Sequence, residues 1–313
     1  MTMIITAALD KDALLAKSQL YVRKSLLRKS EGDLEEYQLW ASLALELLGK
    51  SALANIHPSL IADPLHYQSL FAASGIKAST DIKTITAKTL FERLGHLVKP
   101  FDQKVKEFCN QVANRRNAEL HSGDAPFAAT RADLWEAEYW YAVDTILKFM
   151  DETLEGWLGA DDAATPQEIL SNALDAKRQS VEMRIEKTRE AFESKKRGDR
   201  EKALKIAEQA TIDSYPALFL DFYDASWECE CPSCAGKAYV IGEMVEEEVI
   251  DTSPEEYVVW ETVERWYRGD KFKCPTCELK IDGYDELEFA ELLTEHSDTD
   301  EREMEYEPDY GND

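Results

Sequence analysis

The residues Asn114-Arg115-Arg116-Asn117-Ala118-Glu119-Leu120-His121-Ser122-Gly123 gather amide, guanidinium and imidazole groups in one short stretch. Such a set suffices for phosphodiester chemistry without a metal. Attack by a ribose 2′-hydroxyl needs a proton acceptor, a donor for the departing oxygen, and cations facing the charge that builds on phosphorus. On a helix Asn114, Asn117 and His121 share one stripe, while Arg116 stands about 140° round from His121. One copy of the set is therefore incomplete. Two copies about a twofold axis would bring both His121 and both Arg116 side chains to one phosphate, so catalysis here is expected to require a homodimer.

A second constellation lies far downstream. Cys231-Pro-Ser-Cys234 and Cys274-Pro-Thr-Cys277 each place two thiols in a tight turn, and 39 residues separate the pairs. Two matched pairs of this spacing predict a four-sulfur Zn2+ site and argue against a lone redox dithiol. With four protein sulfurs the metal has no open position, so the expected role is structural. Cys229, two residues before the first ligand, is open to use as an alternate ligand, but its acidic setting between Glu228 and Glu230 favours a bystander, and Cys109, on an apolar helix, reads as a small buried residue.

The elements that must position these groups follow from periodicity. Residues 10–30 have helical spacing with Asp10 as N-cap, and a second helix runs from Leu34 to the His57-Pro58 break. Residues 62–82, with Pro64 and Gly75, read as a long loop with room for one helical turn. Helices are predicted from Thr89 to Pro100, from Phe101 to Leu120, and from Arg131 to Leu158. From Pro166, the residues Leu170, Leu174, Val181, Ile185 and Phe192 form a near-heptad seam. Arg197-Gly198-Asp199 is expected to break it, and a return helix over 200–210 would complete a helical hairpin. After Pro216, residues 238–241, 244–250 and 257–267 alternate as strands.

Charge divides the chain. Residues 1–150 hold 18 basic and 18 acidic residues, and the remaining 163 hold 18 basic and 44 acidic, so the whole net charge of -26 lies in the second part. A phosphate-binding surface needs cations, so any RNA is expected at the N-terminal half. Residues 296–313 carry eight acidic groups and one arginine, and are expected to be a disordered tail. No basic leader and no run of apolar residues long enough for a membrane span precedes or interrupts these segments, which predicts a cytoplasmic protein with no membrane partner.

Arg116, Asn117 and His121 resemble the hallmark of the HEPN superfamily, an Arg followed after four to six residues by His, often with a polar residue next to the Arg. The helix Leu43-Ala-Leu-Glu46-Leu-Leu-Gly-Lys50 is similar to the Glu-containing core helix of many such domains, and the resemblance covers about residues 10–158. It implies a helical bundle, dimerisation across the motif and metal-independent ribonuclease activity of the toxin–antitoxin or anti-phage kind, with His121 as general acid/base, Arg116 as phosphate clamp and Asn117 orienting either. RNA, tRNA among it, would be the substrate, and an antitoxin or other protein a partner. Gly123 stands where a toxin subset has a tyrosine that a partner enzyme modifies, and Glu46 or Glu119 would have to serve as any acidic helper, although Glu46 on a central helix reads first as a structural carboxylate that pairs with Arg115 or Arg116. The alternative is a non-catalytic interaction protein in which His121 merely caps or fills.

The fold expected from these readings is mainly α. It comprises a HEPN-like helical bundle over 1–160, a helical-hairpin connector over 161–215, a small β-rich zinc-ribbon domain over 216–295, and the acidic tail over 296–313.

Overall fold

The computed structural model describes residues 6–76, 81–129, 131, 135–216, 218–219, 222–254 and 259–304. The chain forms two compact units, Met1–Ala176 and Lys177–Asp313.

The first unit is helical. Its helices are α1 (Lys11–Ser30), α2 (Leu34–Ile56), α3 (Tyr67–Ala73), α4 (Ala87–Leu97), α5 (Gln103–His121), α6 (Pro126–Ala129), α7 (Glu136–Phe149), α8 (Leu154–Leu158) and the first part of α9 (Ala160–Glu193). Side-chain caps start the main ones: Asp10, Asp33, Thr86 and Asp102 accept from backbone N–H groups in the first turns of α1, α2, α4 and α5, satisfying donors that have no partner within the helix. Helix α2 is central, with Tyr37, Ala41, Ala44, Leu45, Leu48, Ala52 and Leu53 all inaccessible to solvent. Two long-range hydrogen bonds tie neighbours to the core: Tyr139 Oη donates to the Ala41 carbonyl at 3.1 Å, and Trp157 Nε1 donates to Ser18 Oγ at 2.9 Å.

The helix predicted over 131–158 is interrupted. Asp151 adopts φ 58°, and Thr153 begins α8 by accepting from Gly156 N at 3.0 Å, so α7 and α8 are separate; residues 132–134 of that prediction lie outside the described residues. Helix α9 starts at Ala160 and carries Pro166 inside it. Its Leu170 belongs to the core of the first unit, and its Val181 and Phe192 to that of the second. The near-heptad seam thus divides between two cores, and Leu204 of the expected return helix packs against the second. Helix α10 (Arg197–Gln209) begins at the residues expected to break the chain.

The second unit adds one five-stranded antiparallel sheet and the short helix α11 (Tyr284–Phe289). Strands β1 (Ala225–Glu230), β2 (Lys237–Pro254), β3 (Val259–Lys273) and β4 (Lys280–Asp282) are neighbours in that order. Strand β5 (Glu295–Glu303) pairs along β3 from Trp260↔Glu303 to Arg268↔Glu295. The expectation of a mainly α chain with a small β-rich domain is therefore corrected. Of the described residues 57% are helical and 19% lie in strands, and the two units are of different class, one helical and one α+β. Two physical facts account for the difference: β2 and β3 continue as an 18-residue and a 15-residue strand well past the cysteines, and residues 296–303 of the expected acidic tail lie in β5 and complete the sheet. Tyr257 and Val258 of the predicted strand, and residues 305–313 of the tail, lie outside the described residues.

Candidate metal centre and polar cluster

The strands bring the two cysteine pairs together. Cys231 and Cys234 lie in the turn between β1 and β2, and Cys274 and Cys277 in the turn between β3 and β4. The turns share one construction. Ala235 N donates to the Cys231 carbonyl and Glu278 N to the Cys274 carbonyl, each at 2.9 Å, and Cys231 N and Cys274 N donate to Gly236 and Leu279 carbonyls. Ala235 and Glu278, the residues that follow the second cysteine of each pair, both have left-handed backbone, φ 55° and 66°.

All four Sγ atoms lie within 4.8 Å of one another, with Cys231 to Cys277 at 3.5 Å and Cys234 to Cys274 at 3.6 Å. The edge of a tetrahedral four-sulfur shell with metal–sulfur bonds of ~2.3 Å is about 3.8 Å, so the arrangement is compatible with a metal ion. The sulfurs crowd one another enough to interfere with ionisation. Hydrogen bonding to the neighbouring thiols raises Cys231, and hydrogen bonds from Cys231 and Cys234 lower Cys274 and Cys277. A bound cation removes that conflict by holding all four as thiolates. Cys229 is outside the cluster; burial, with Cys274 nearby, pushes its thiol up to about 12. Cys109 is wholly buried, and its thiol is raised by desolvation, in keeping with a packing role.

In the first unit, Arg116 and Asn117 lie in the C-terminal half of α5 and His121 is its last residue. The structure joins Arg116 to Asn117 and to Glu46 of α2. Asn117 Oδ1 accepts from Arg116 Nη2 at 2.9 Å, and Glu46 Oε2 accepts from Arg116 Nη1. Glu46 Oε1 accepts from Lys50 Nζ at 2.8 Å, and Lys50 also donates to Thr84 Oγ1 at 3.0 Å. Burial would raise the Glu46 carboxyl, but the Lys50 ammonium and the Arg116 guanidinium outweigh it and hold it below the usual carboxylate range. The Arg116 side chain is 12% exposed. His121 is exposed and makes no hydrogen bond or ion pair among the described residues. Within one chain the structure therefore joins the Arg116 and His121 side chains by no hydrogen bond or ion pair. Glu119 is not part of the cluster, since its carboxylate accepts from Phe127 N at 3.3 Å and fixes the start of α6.

Lys50 and Thr84 were not among the sequence-predicted site residues. The Glu46–Lys50 spacing, i to i+4 on one helix, was the available signal for the first; Thr84 arrives through tertiary folding alone. Among the described residues no helix is long and apolar enough to cross a membrane. Compared with protein-family models, curated proteins and solved structures, the chain matches none.

Proposed function

We propose that the first unit is a HEPN-type RNA endonuclease acting as a homodimer, of the toxin or anti-phage kind, and that the second unit is held by a structural Zn2+ on Cys231, Cys234, Cys274 and Cys277. The observation that carries the first reading is the cluster at the end of α5: Arg116 is oriented by Glu46 and Asn117, and a solvent-accessible His121 follows on the same helix. In the reaction a 2′-hydroxyl attacks the adjacent phosphorus and the 5′-oxygen departs, leaving a 2′,3′-cyclic phosphate and a 5′-hydroxyl. One His121 takes the proton from the attacking hydroxyl, and the partner copy's His121 delivers one to the departing oxygen. Arg116 faces the phosphorane charge, and Asn117 keeps the guanidinium in place. For the second reading, four thiolates suit Zn2+ and leave no position for substrate, so the ion acts as a cross-link between the two cysteine turns.

One observation favours a different function, that of a non-catalytic interaction protein. The Arg116 guanidinium is already engaged by Glu46 and largely covered, as a purely structural arginine would be. RNA cleavage decides between them. Metal-loaded protein is incubated with total RNA and with tRNA in EDTA, bound metal per chain is measured before and after, and His121→Ala and Arg116→Ala variants are compared after their dimerisation and folding have been checked. The nuclease predicts cleavage that falls by at least about a hundredfold in His121→Ala, since general acid–base groups contribute factors of that order or more. No cleavage by the unaltered protein, or cleavage undiminished in His121→Ala, overturns it in favour of the interaction protein.

A further inference from the structure

Beyond Gly242 the paired strands β2, β3 and β5 form a three-stranded arm whose two faces differ. Register assigns the faces, because directly paired residues project to the same side and alternate residues share a side. One face carries Tyr267, Arg265, Val263 and Glu261 of β3. Its charges are matched: Arg265 pairs with Glu247 at 2.7 Å and Asp300 at 3.2 Å, and Arg302 pairs with Glu247 at 2.6 Å and Glu261 at 3.0 Å.

The opposite face carries Arg268, Trp266, Glu264, Thr262 and Trp260 down its central strand; Arg268, at the root of the arm, is buried and pairs with Glu243 at 3.9 Å, and the residues beyond it hold no cation. Glu246, Glu248 and Asp251 flank it on β2, and Glu301 and Glu303 on β5. None of these carboxylates, Glu264 included, has a cationic partner among the described residues. Glu248 sits directly opposite Glu264, a like-charge cross-strand pair that destabilises a sheet. No core covers the two indoles fully; Trp260 is 38% exposed. Partly exposed aromatic surface along the middle of the central strand, bordered by uncompensated anions, is poorly explained by the stability of the sheet alone.

We propose that this face of the arm is a docking surface for a Lys/Arg-rich polypeptide segment lying along β3. Charge complementarity selects the occupant. Guanidinium and ammonium groups pair with the flanking carboxylates, relieve the Glu248–Glu264 repulsion, and lie over the Trp260 and Trp266 rings, whose negative faces attract cations. The same charges repel a phosphate backbone. The proposal is independent of the ribonuclease reading, which concerns residues of the other unit.

The test uses the full metal-loaded chain and a synthetic arginine–serine repeat peptide, followed by titration calorimetry and indole fluorescence at several salt concentrations. Glu246→Gln/Glu248→Gln/Glu264→Gln is expected to weaken binding by about tenfold, as three exposed ion pairs would. Glu182→Gln/Glu190→Gln/Glu208→Gln, which removes the same charge from exposed positions on α9 and α10, is expected to change binding by less than about twofold at physiological salt, where charges further off than the Debye length are screened. Trp260→Ala is expected to weaken binding without altering its salt dependence. Equal losses in the two triple variants, undiminished binding by Trp260→Ala, or no peptide binding by the unaltered protein would each overturn the proposal.

Discussion

Glu46 shows how one carboxylate can fix a candidate catalytic group. It lies between Lys50 and Arg116, both largely buried, and is itself held ionised by them. Its folded-state pKa is lower than in the unfolded chain. The stability it contributes is therefore fully present above the unfolded value of about 4.3 and is lost as pH falls through the lower folded value. Glu46→Gln leaves two covered cations without a counter-charge, which is expected to cost about 3 kcal/mol at neutral pH. The gap between variant and parent should then narrow as pH drops below about 4. Urea denaturation of both proteins from pH 7 downward checks this, and a gap that stays constant into strong acid would show that Arg116 does not depend on Glu46. The pairing of Glu46 with an arginine was legible in the sequence, since α2 and α5 both have clear apolar periodicity and a carboxylate on a central helix needs a partner. The choice of Arg116 over Arg115 was not, because it depends on the rotation of α5 against α2.

At the scale of elements, the arm begins at Gly242, where β2 has no room for a side chain against β3. A Cβ at Gly242 would lie 2.2 Å from the Arg268 carbonyl oxygen, beside a register shift in the β2–β3 pairing. Gly242→Ala must push the strands apart and is expected to destabilise the second unit by about 3 kcal/mol, the upper range for overpacking. Gly198→Ala, on α10 with nothing within 4 Å of the added carbon, is expected to be neutral or to stabilise by up to about 1 kcal/mol through helix propensity. Calorimetric scans of the two variants separate backbone crowding from the general effect of removing a glycine; equal shifts would refute the crowding. Strand β2 was only partly legible: residues 238–241 and 244–250 read as two runs, while Gly242-Glu243 between them and Asp251-Thr252-Ser253-Pro254 after them show no apolar alternation. Strand β5 was not legible at all. His296, Ser297, Asp298, Thr299 and Asp300 have no apolar face, and their pairing is specified by partners distant in sequence: His296 stacks with Trp227 at 5.2 Å, and Asp298 accepts from Tyr267 Oη at 3.1 Å. The cysteine turns, by contrast, were readable from spacing alone, since each pair needs only its own local geometry.

At the scale of the whole molecule, two units of different class draw their stability from different sources. The helical unit has a large apolar core, from Leu9 to Leu170. The core of the second unit includes Cys231, Cys234 and Cys274 among its buried residues, so these sulfurs are both packing groups and the proposed metal ligands. Without a cation, four sulfurs this close cannot all ionise, and a unit whose strands join at those two turns loses its cross-link. Because the site forms only in the folded unit, metal-binding energy is folding energy there, whereas the helical unit contains none of the four cysteines. Removal of the metal by a strong thiolate-competing chelator is therefore expected to abolish the transition of the second unit in calorimetry and leave that of the first in place. Helical signal should fall only by the share contributed by α9 beyond Ala176, α10 and α11. Cys274→Ser should reproduce this in the presence of excess Zn2+, while Cys229→Ser, outside the cluster, should keep both transitions. If chelation left both transitions unchanged, the cysteine turns would be held by packing alone; if it removed both, the helical unit would depend on the second one for its fold.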